Sequence, residues 1–262
     1  MERMYRALEL ARLPGELAEG LEAQPAVEPP PAQRHAFVAP VDPARLRSRR
    51  IVLAEDAGAA ASAYRMLRAQ FLPRLRASQI RTVGVVSAAD GEGKTLTTAN
   101  LALSLAAEPN QTVLIVDLDL RHPSVASLLD LPATCGLEAW LGGACSLSGL
   151  FWRLQGIERL SILPTITPLA GSSEVLAGPR AKDLMQHLAT RYADRIMLID
   201  LPPVLLADDV LTIAPLLDAV ILVAAEGRTR RDDLLRVREL LGPVHILGTV
   251  LNRASESERR AY

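Results

Sequence analysis

Residues 82–95 read Thr82-Val83-Gly84-Val85-Val86-Ser87-Ala88-Ala89-Asp90-Gly91-Glu92-Gly93-Lys94-Thr95, and Leu96 to Ala107 continue in a helical pattern. An apolar run, a glycine loop and a helix in that order are what phosphate binding requires. Glycines let backbone N–H groups turn onto the oxyanions, and the helix N-terminus adds its partial positive charge. The pattern predicts a phosphate loop in which the backbone of Asp90, Gly91, Glu92, Gly93, Lys94, Thr95 and Leu96 surrounds the nucleotide's phosphates. Lys94 reaches the β- and γ-phosphates, and the Thr95 hydroxyl ligates Mg²⁺. The pattern wants glycine seven residues before the threonine, where this chain has Ala88. Lysine usage argues the other way: the chain has only Lys94 and Lys182 against 27 arginines, yet one of the two stands in this loop.

A phosphate loop needs carboxylates to hold the magnesium shell, and these usually come from the ends of neighbouring apolar strands. Two such ends are present, Leu114-Ile115-Val116-Asp117-Leu118-Asp119-Leu120-Arg121 and Ile196-Met197-Leu198-Ile199-Asp200-Leu201-Pro202-Pro203. Parallel strands emerge on one edge, so Asp117 and Asp200 can converge on the phosphate site. The bland alternative is that each aspartate caps the turn after its strand.

Outward from this centre the chain alternates. An Ala-rich helix from Ala60 precedes the loop, and apolar runs follow at Thr112 to Asp117, Leu160 to Leu163, Arg195 to Asp200, Ala219 to Ala224 and Ile246 to Asn252. Helical patterns lie at Gly93 to Ala107, after Pro123, at Ala181 to Tyr192 and at Arg230 to Leu241. Continuous apolar strands are buried on both faces. The expectation is therefore a doubly wound α/β fold, a mostly parallel sheet with helices on both faces.

About half of the 262 residues are apolar and the formal net charge is −1, the profile of a soluble globular protein. No basic excess points to nucleic acid. The apolar runs, such as Val220 to Ala225, fall far short of the ~20 residues a membrane helix needs. Met1-Glu2-Arg3-Met4 is followed by no apolar run, so no secretory signal is expected. Two cysteines and four histidines make neither a disulfide framework nor a metal cluster, which fits a reducing cytosol.

Seven of the 18 prolines fall within the first 43 residues, so residues 23–43 read as an extended linker within a lead-in that runs to residue 59. Before it, Met1, Met4, Tyr5, Leu8 and Ala11 recur at helical spacing, predicting an amphipathic helix within residues 1–22. Its mixed charges favour a protein surface over an anionic membrane. Residues 60–253 form the phosphate-loop domain, and 254–262 a mobile tail.

Taken together, the Gly91-Glu92-Gly93-Lys94-Thr95 loop, the Asp117-x-Asp119-x-Arg121 strand end and the Asp200-Leu201-Pro202-Pro203 strand end resemble the Walker A, A′ and B motifs of bacterial tyrosine kinases, the autokinases of capsule and exopolysaccharide assembly. The resemblance extends over residues 60–253 and includes Tyr64-Arg65-Met66-Leu67-Arg68, Gly136-Leu137-Glu138-Ala139-Trp140-Leu141-x-Gly143 and Gly248-Thr249-Val250-Leu251-Asn252. It implies a MinD/ParA-like P-loop fold and ATP with Mg²⁺ as cofactors. Lys94 then neutralises the transferring phosphoryl group, Thr95, Asp117 and Asp200 position Mg²⁺, and Asp119 orients the attacking tyrosine hydroxyl. Asn252 is similar in position to an adenine-contacting asparagine, and reads equally as a strand-end turn residue. Ala89 stands where partition and division-site ATPases carry a second lysine, which speaks against them.

The resemblance further implies a cytoplasmic protein recruited to the inner face of the plasma membrane by the cytosolic tail of a membrane polysaccharide chain-length regulator, with homo-oligomers and no direct membrane insertion. Two positions depart from the family. The tail carries a single tyrosine, Tyr262, as candidate acceptor in place of a cluster, and Ser62 stands where the ring contact usually has a glutamate, leaving Arg65, Arg68 and Arg74 in search of a carboxylate. A tyrosine-poor tail also fits a second reading, a scaffold that binds and hydrolyses ATP without phosphorylating tyrosine.

Overall fold

The computed structural model describes residues 36–191 and 195–254. The predicted N-terminal helix, most of the proline-rich stretch and Tyr262 lie outside the described residues. Within them, eight strands make one sheet in the order β1-β4-β5-β3-β6-β2-β7-β8.

In chain order, β1 (Phe37–Ala39) leads into α1 (Pro43–Ser48) and α2 (Ala59–Ala77), then β2 (Thr82–Ser87), α3 (Lys94–Ala106) and β3 (Thr112–Asp117). Two short helices, α4 (Val125–Leu128) and α5 (Leu137–Leu141), precede β4 (Trp152–Leu154) and β5 (Ile157–Leu163). The remainder is α6 (Ser172–Ala177), α7 (Pro179–Arg191), β6 (Arg195–Asp200), α8 (Asp209–Ile213), β7 (Ala219–Ala225), α9 (Arg231–Leu241) and β8 (Ile246–Asn252).

The central strands β2, β3, β6 and β7 are mostly apolar because both faces are covered. On β3, Leu114 and Val116 enter one hydrophobic cluster with Val86, Leu163, Ile199 and Leu222. Val113 and Ile115 enter the other with Val83, Ile162, Leu198 and Ile221. Period-two alternation thus divides one run of valines, leucines and isoleucines between two cores. α9 carries Asp232 and Asp233 in its first turn and Arg238 in its last, the charge order its dipole favours.

Six strands, β5, β3, β6, β2, β7 and β8, are mutually parallel, as expected. Two edge features were not expected. β4 runs antiparallel to β5, and β1 pairs with β4 in parallel, so part of the stretch read as linker is a strand, with Phe37 stacked against Trp152 at 5.1 Å. α1 begins in the same proline-rich stretch, where Asp42 accepts the Ala44 and Arg45 N–H groups at 3.0 and 3.1 Å and Pro43 opens the helix. Proline at the first helical position forfeits no hydrogen bond. The proline density therefore marks a helix start and an edge here.

Candidate active site

β2 lies between β6 and β7 near the middle of the sheet, and the chain leaves it at Ser87 into the glycine loop. Gly91 and Gly93 take φ of 72° and 95°, a region where a side chain is strained. Gly93 is doubly constrained, because a Cβ there would stand 2.0 Å from Nδ2 of Asn252. Ala88 is not among the residues of positive φ, which explains why alanine is tolerated in the place of the first glycine. Immediately after Gly93, α3 begins, and its first turn presents Lys94 and Thr95.

The register of the sheet brings the carboxylates together. Asp117 and Asp200 are directly paired residues on β3 and β6, and Val85 of β2 pairs with Asp200 on its other side. All three aspartates, 117, 119 and 200, are fully buried. Nζ of Lys94 lies 2.6 Å from Oδ2 of Asp119. The Thr95 hydroxyl donates to Oδ2 of Asp200 at 2.6 Å, and the Thr98 hydroxyl reaches Oδ1 at 3.2 Å. Oδ2 of Asp117 accepts N–H groups from Ser124 and Val125 at 3.1 and 3.0 Å, so the capping role coexists with its place at the site.

One ammonium thus faces three buried carboxylates. Burial works against the charge of Lys94, but the Asp200 and Asp119 carboxylates outweigh it and its pKa is raised. Burial also pushes the Asp200 carboxyl up to about 6, opposed by the Lys94 charge and the Thr95 hydroxyl. The Asp117 carboxyl is likewise pushed well above the ordinary range, through burial and the neighbouring Asp200 charge. Excess negative charge held in a low-dielectric site is the signature of a place prepared for a cation. Among the described residues no group of three or more His, Cys, Asp or Glu makes a self-sufficient metal cage. Two carboxylates and a hydroxyl instead match Mg²⁺, a hard ion that keeps waters and shares substrate phosphate oxygens.

Several functional contacts escape the motifs. Arg121 leaves β3 and pairs with the fully buried Asp209 at 2.6 Å and with Asp208 at 2.8 Å, tying the loop that carries Asp119 to the start of α8. Ser124 donates to the Thr95 hydroxyl oxygen at 3.1 Å. The Asn252 amide donates to the Glu92 carbonyl at 2.9 Å and its Oδ1 accepts the Arg253 N–H at 2.8 Å, so it braces the phosphate loop. Arg65, Arg68 and Arg74 of α2 find partners in their own chain. Arg68 pairs with Glu108 at 3.0 Å, Arg65 donates to the Asp56 carbonyl, and Arg74 to that of Leu247.

A strand–glycine loop–helix unit with carboxylates on two adjacent strand ends defines a P-loop nucleotide-binding protein. A family model described as ParA, NUBPL iron-transfer P-loop NTPase, matches residues 79–255. The tyrosine-protein kinase CpsD of Streptococcus pneumoniae serotype 4 is 30% identical over 184 residues, 69% of this chain and 79% of that protein. The tyrosine-protein kinase YwqD of Bacillus subtilis is 26% identical over 83% of this chain and 91% of its own length. The succinoglycan biosynthesis transport protein ExoP of Rhizobium meliloti is 31% identical over 72% of this chain, which spans 24% of that longer protein. Among solved structures, the VpsO kinase domain superposes with a TM-score of 0.66 at 29% identity, covering 74% of this chain and 94% of that domain. MinD of Pyrococcus horikoshii, complexed with Mg-ADP, superposes at 0.54 and 27% identity over 68% of this chain and 72% of that one. The chain belongs to this ParA-type family of P-loop NTPases and, within it, to the bacterial tyrosine kinases. Among the described residues no helix is long and apolar enough to cross a membrane.

Proposed function

We propose that this protein is an ATP- and magnesium-dependent protein-tyrosine autokinase that regulates exopolysaccharide or capsule assembly. The observation that carries the reading is the cross-strand pair Asp117–Asp200 beside the ion pair of Asp119 with Lys94, the first residue of the helix that opens at the phosphate loop. Thr95, Asp117 and Asp200 are the residues that would hold Mg²⁺, which would supply positive charge against that of the nucleotide's phosphates. Lys94 stabilises the negative charge on the transferring phosphoryl group, and the loop amides with the α3 N-terminus orient it. Asp119 accepts the proton of the incoming tyrosine hydroxyl once Lys94 turns to the phosphates.

Tyr262 is the acceptor we assign, supplied by a neighbouring subunit. We place the protein on the cytosolic side of the plasma membrane, recruited by the cytosolic tail of a chain-length regulator. The relation to ExoP, named for succinoglycan biosynthesis, supports the polysaccharide setting. Incubation of the purified protein with ATP, Mg²⁺ and such a tail should add phosphate to tyrosine, read by intact mass, and Lys94→Met should abolish it. Tight ATP binding with no label would favour the second reading, an ATP-hydrolysing scaffold. Tyr262→Phe separates the two, since an autokinase using that acceptor loses most of its label while a scaffold's hydrolysis is unaffected.

A further inference from the structure

A glutamate inside a phosphate loop is a like charge beside the ligand it serves, and Glu92 is only 3% exposed. Its carboxylate is engaged by three donors. Oε2 accepts the Ala88 and Ala89 N–H groups at 2.8 and 3.1 Å, and Oε1 accepts the hydroxyl of Thr229. Thr229 lies in the loop between β7 and α9, where its oxygen also accepts the Ala225 N–H at 2.8 Å, leaving its one proton for Glu92. The surroundings repeat the connection. Arg228 and Arg253 both reach the Gly91 carbonyl, at 3.5 and 2.7 Å, and the Glu226 N–H reaches the Asn252 carbonyl at 2.9 Å.

We infer that Glu92 is a positioning residue whose carboxylate fastens the first two amides of the phosphate loop to Thr229, so that the β7–α9 loop sets how tightly the nucleotide's phosphates are held. The inference rests on the nucleotide-binding reading above. A carboxylate committed to three donors is not a phosphate ligand. Thr229 acts through Glu92, and the coupling is reciprocal, so a filled phosphate loop stiffens the β7–α9 loop in turn.

The test is ADP affinity in the presence of Mg²⁺, measured by titration calorimetry on the full chain well below its melting temperature, with melting recorded separately. Thr229→Val keeps the side-chain shape and removes the donor, and should weaken ADP binding about tenfold, the usual worth of a hydrogen bond to a charged group. Glu92→Gln should weaken it at least as much, because an amide cannot accept from all three donors. Adding Thr229→Val to Glu92→Gln should then have little further effect, and Thr229→Ser should restore wild-type affinity. Lower melting temperatures with unchanged ADP affinity, or fully additive losses, would overturn the inference. A wild-type protein that binds no ADP would overturn it together with the nucleotide-binding reading, an outcome told apart by that first measurement alone.

Discussion

The ammonium of Lys94 and the carboxylate of Asp119, 2.6 Å apart, are partners in the same buried site, although the function proposed above gives one to the phosphates and the other to the acceptor hydroxyl. Each must leave the other to do its work. Asp119→Asn should therefore tighten ADP binding severalfold, since Lys94 no longer exchanges a carboxylate for the phosphate. Tyrosine labelling should fall by about 10²-fold or more, the usual contribution of a general base. Calorimetry and mass spectrometry on one preparation check both; parallel loss of binding and labelling would refute the division of roles.

The titration of Asp200 makes stability fall as pH rises. Its folded pKa of about 6 lies above the ordinary 3.8, so between these values the folded chain holds more protons than the unfolded one, and stability present below pH 4 is lost as pH rises through 6. Asp117 shifts in the same direction. For Asp200 alone this amounts to about 3 kcal/mol, since each pKa unit is worth ~1.4 kcal/mol. Without Mg²⁺ the melting temperature should be higher at pH 5 than at pH 7.5, and Mg-ADP should flatten the slope. A melting temperature that climbs over this range would contradict the assignment.

Gly93→Ala should abolish ADP binding while leaving most of the sheet intact. The new Cβ meets both an unfavourable φ of 95° and the Asn252 amide at 2.0 Å. Adding Asn252→Ala relieves only the second, so the double variant should recover a fraction of the affinity. Full recovery would show that φ imposes no constraint here.

Arg121→Ala leaves the carboxylate of Asp209 buried and unpaired, which costs about 2 kcal/mol or more. The melting temperature should drop by several degrees, and labelling should fall with it because the loop carrying Asp119 loses its tether to α8. Arg121→Lys keeps a charge but loses the fork to Asp208 and Asp209, and should lie between. Thermal unfolding and initial labelling rates check the order.

The parallel core was legible because its central strands are largely runs of β-branched and leucine residues. As candidate site residues, Asp117 and Asp200 were legible because each ends such a run, Asp119 because it follows one by two positions, and Lys94 and Thr95 because they open the helix after the glycine loop. The antiparallel edge was not, because Phe37–Ala39 and Trp152–Leu154 are three residues long and their pairing is decided by distant chain. Asp42-Pro43 was a readable helix start that proline counting obscured. The tie of Glu92 to Thr229 and of Arg121 to Asp209 joins residues 137 and 88 positions apart, which no local pattern reports, although the Asp208-Asp209 doublet was a visible hint.

The ladder that pairs Asp117 with Asp200 also acts as a ruler. Strand spacing is fixed by backbone hydrogen bonds at roughly 4.8 Å, so the separation of these two carboxylates belongs to the sheet and owes little to loops or rotamers. Adding or deleting a single residue in β3 or β6 would turn an entire strand over and exchange its two cores. Placed on the ladder in this way, the two carboxylates are as fixed relative to each other as the residues of the core.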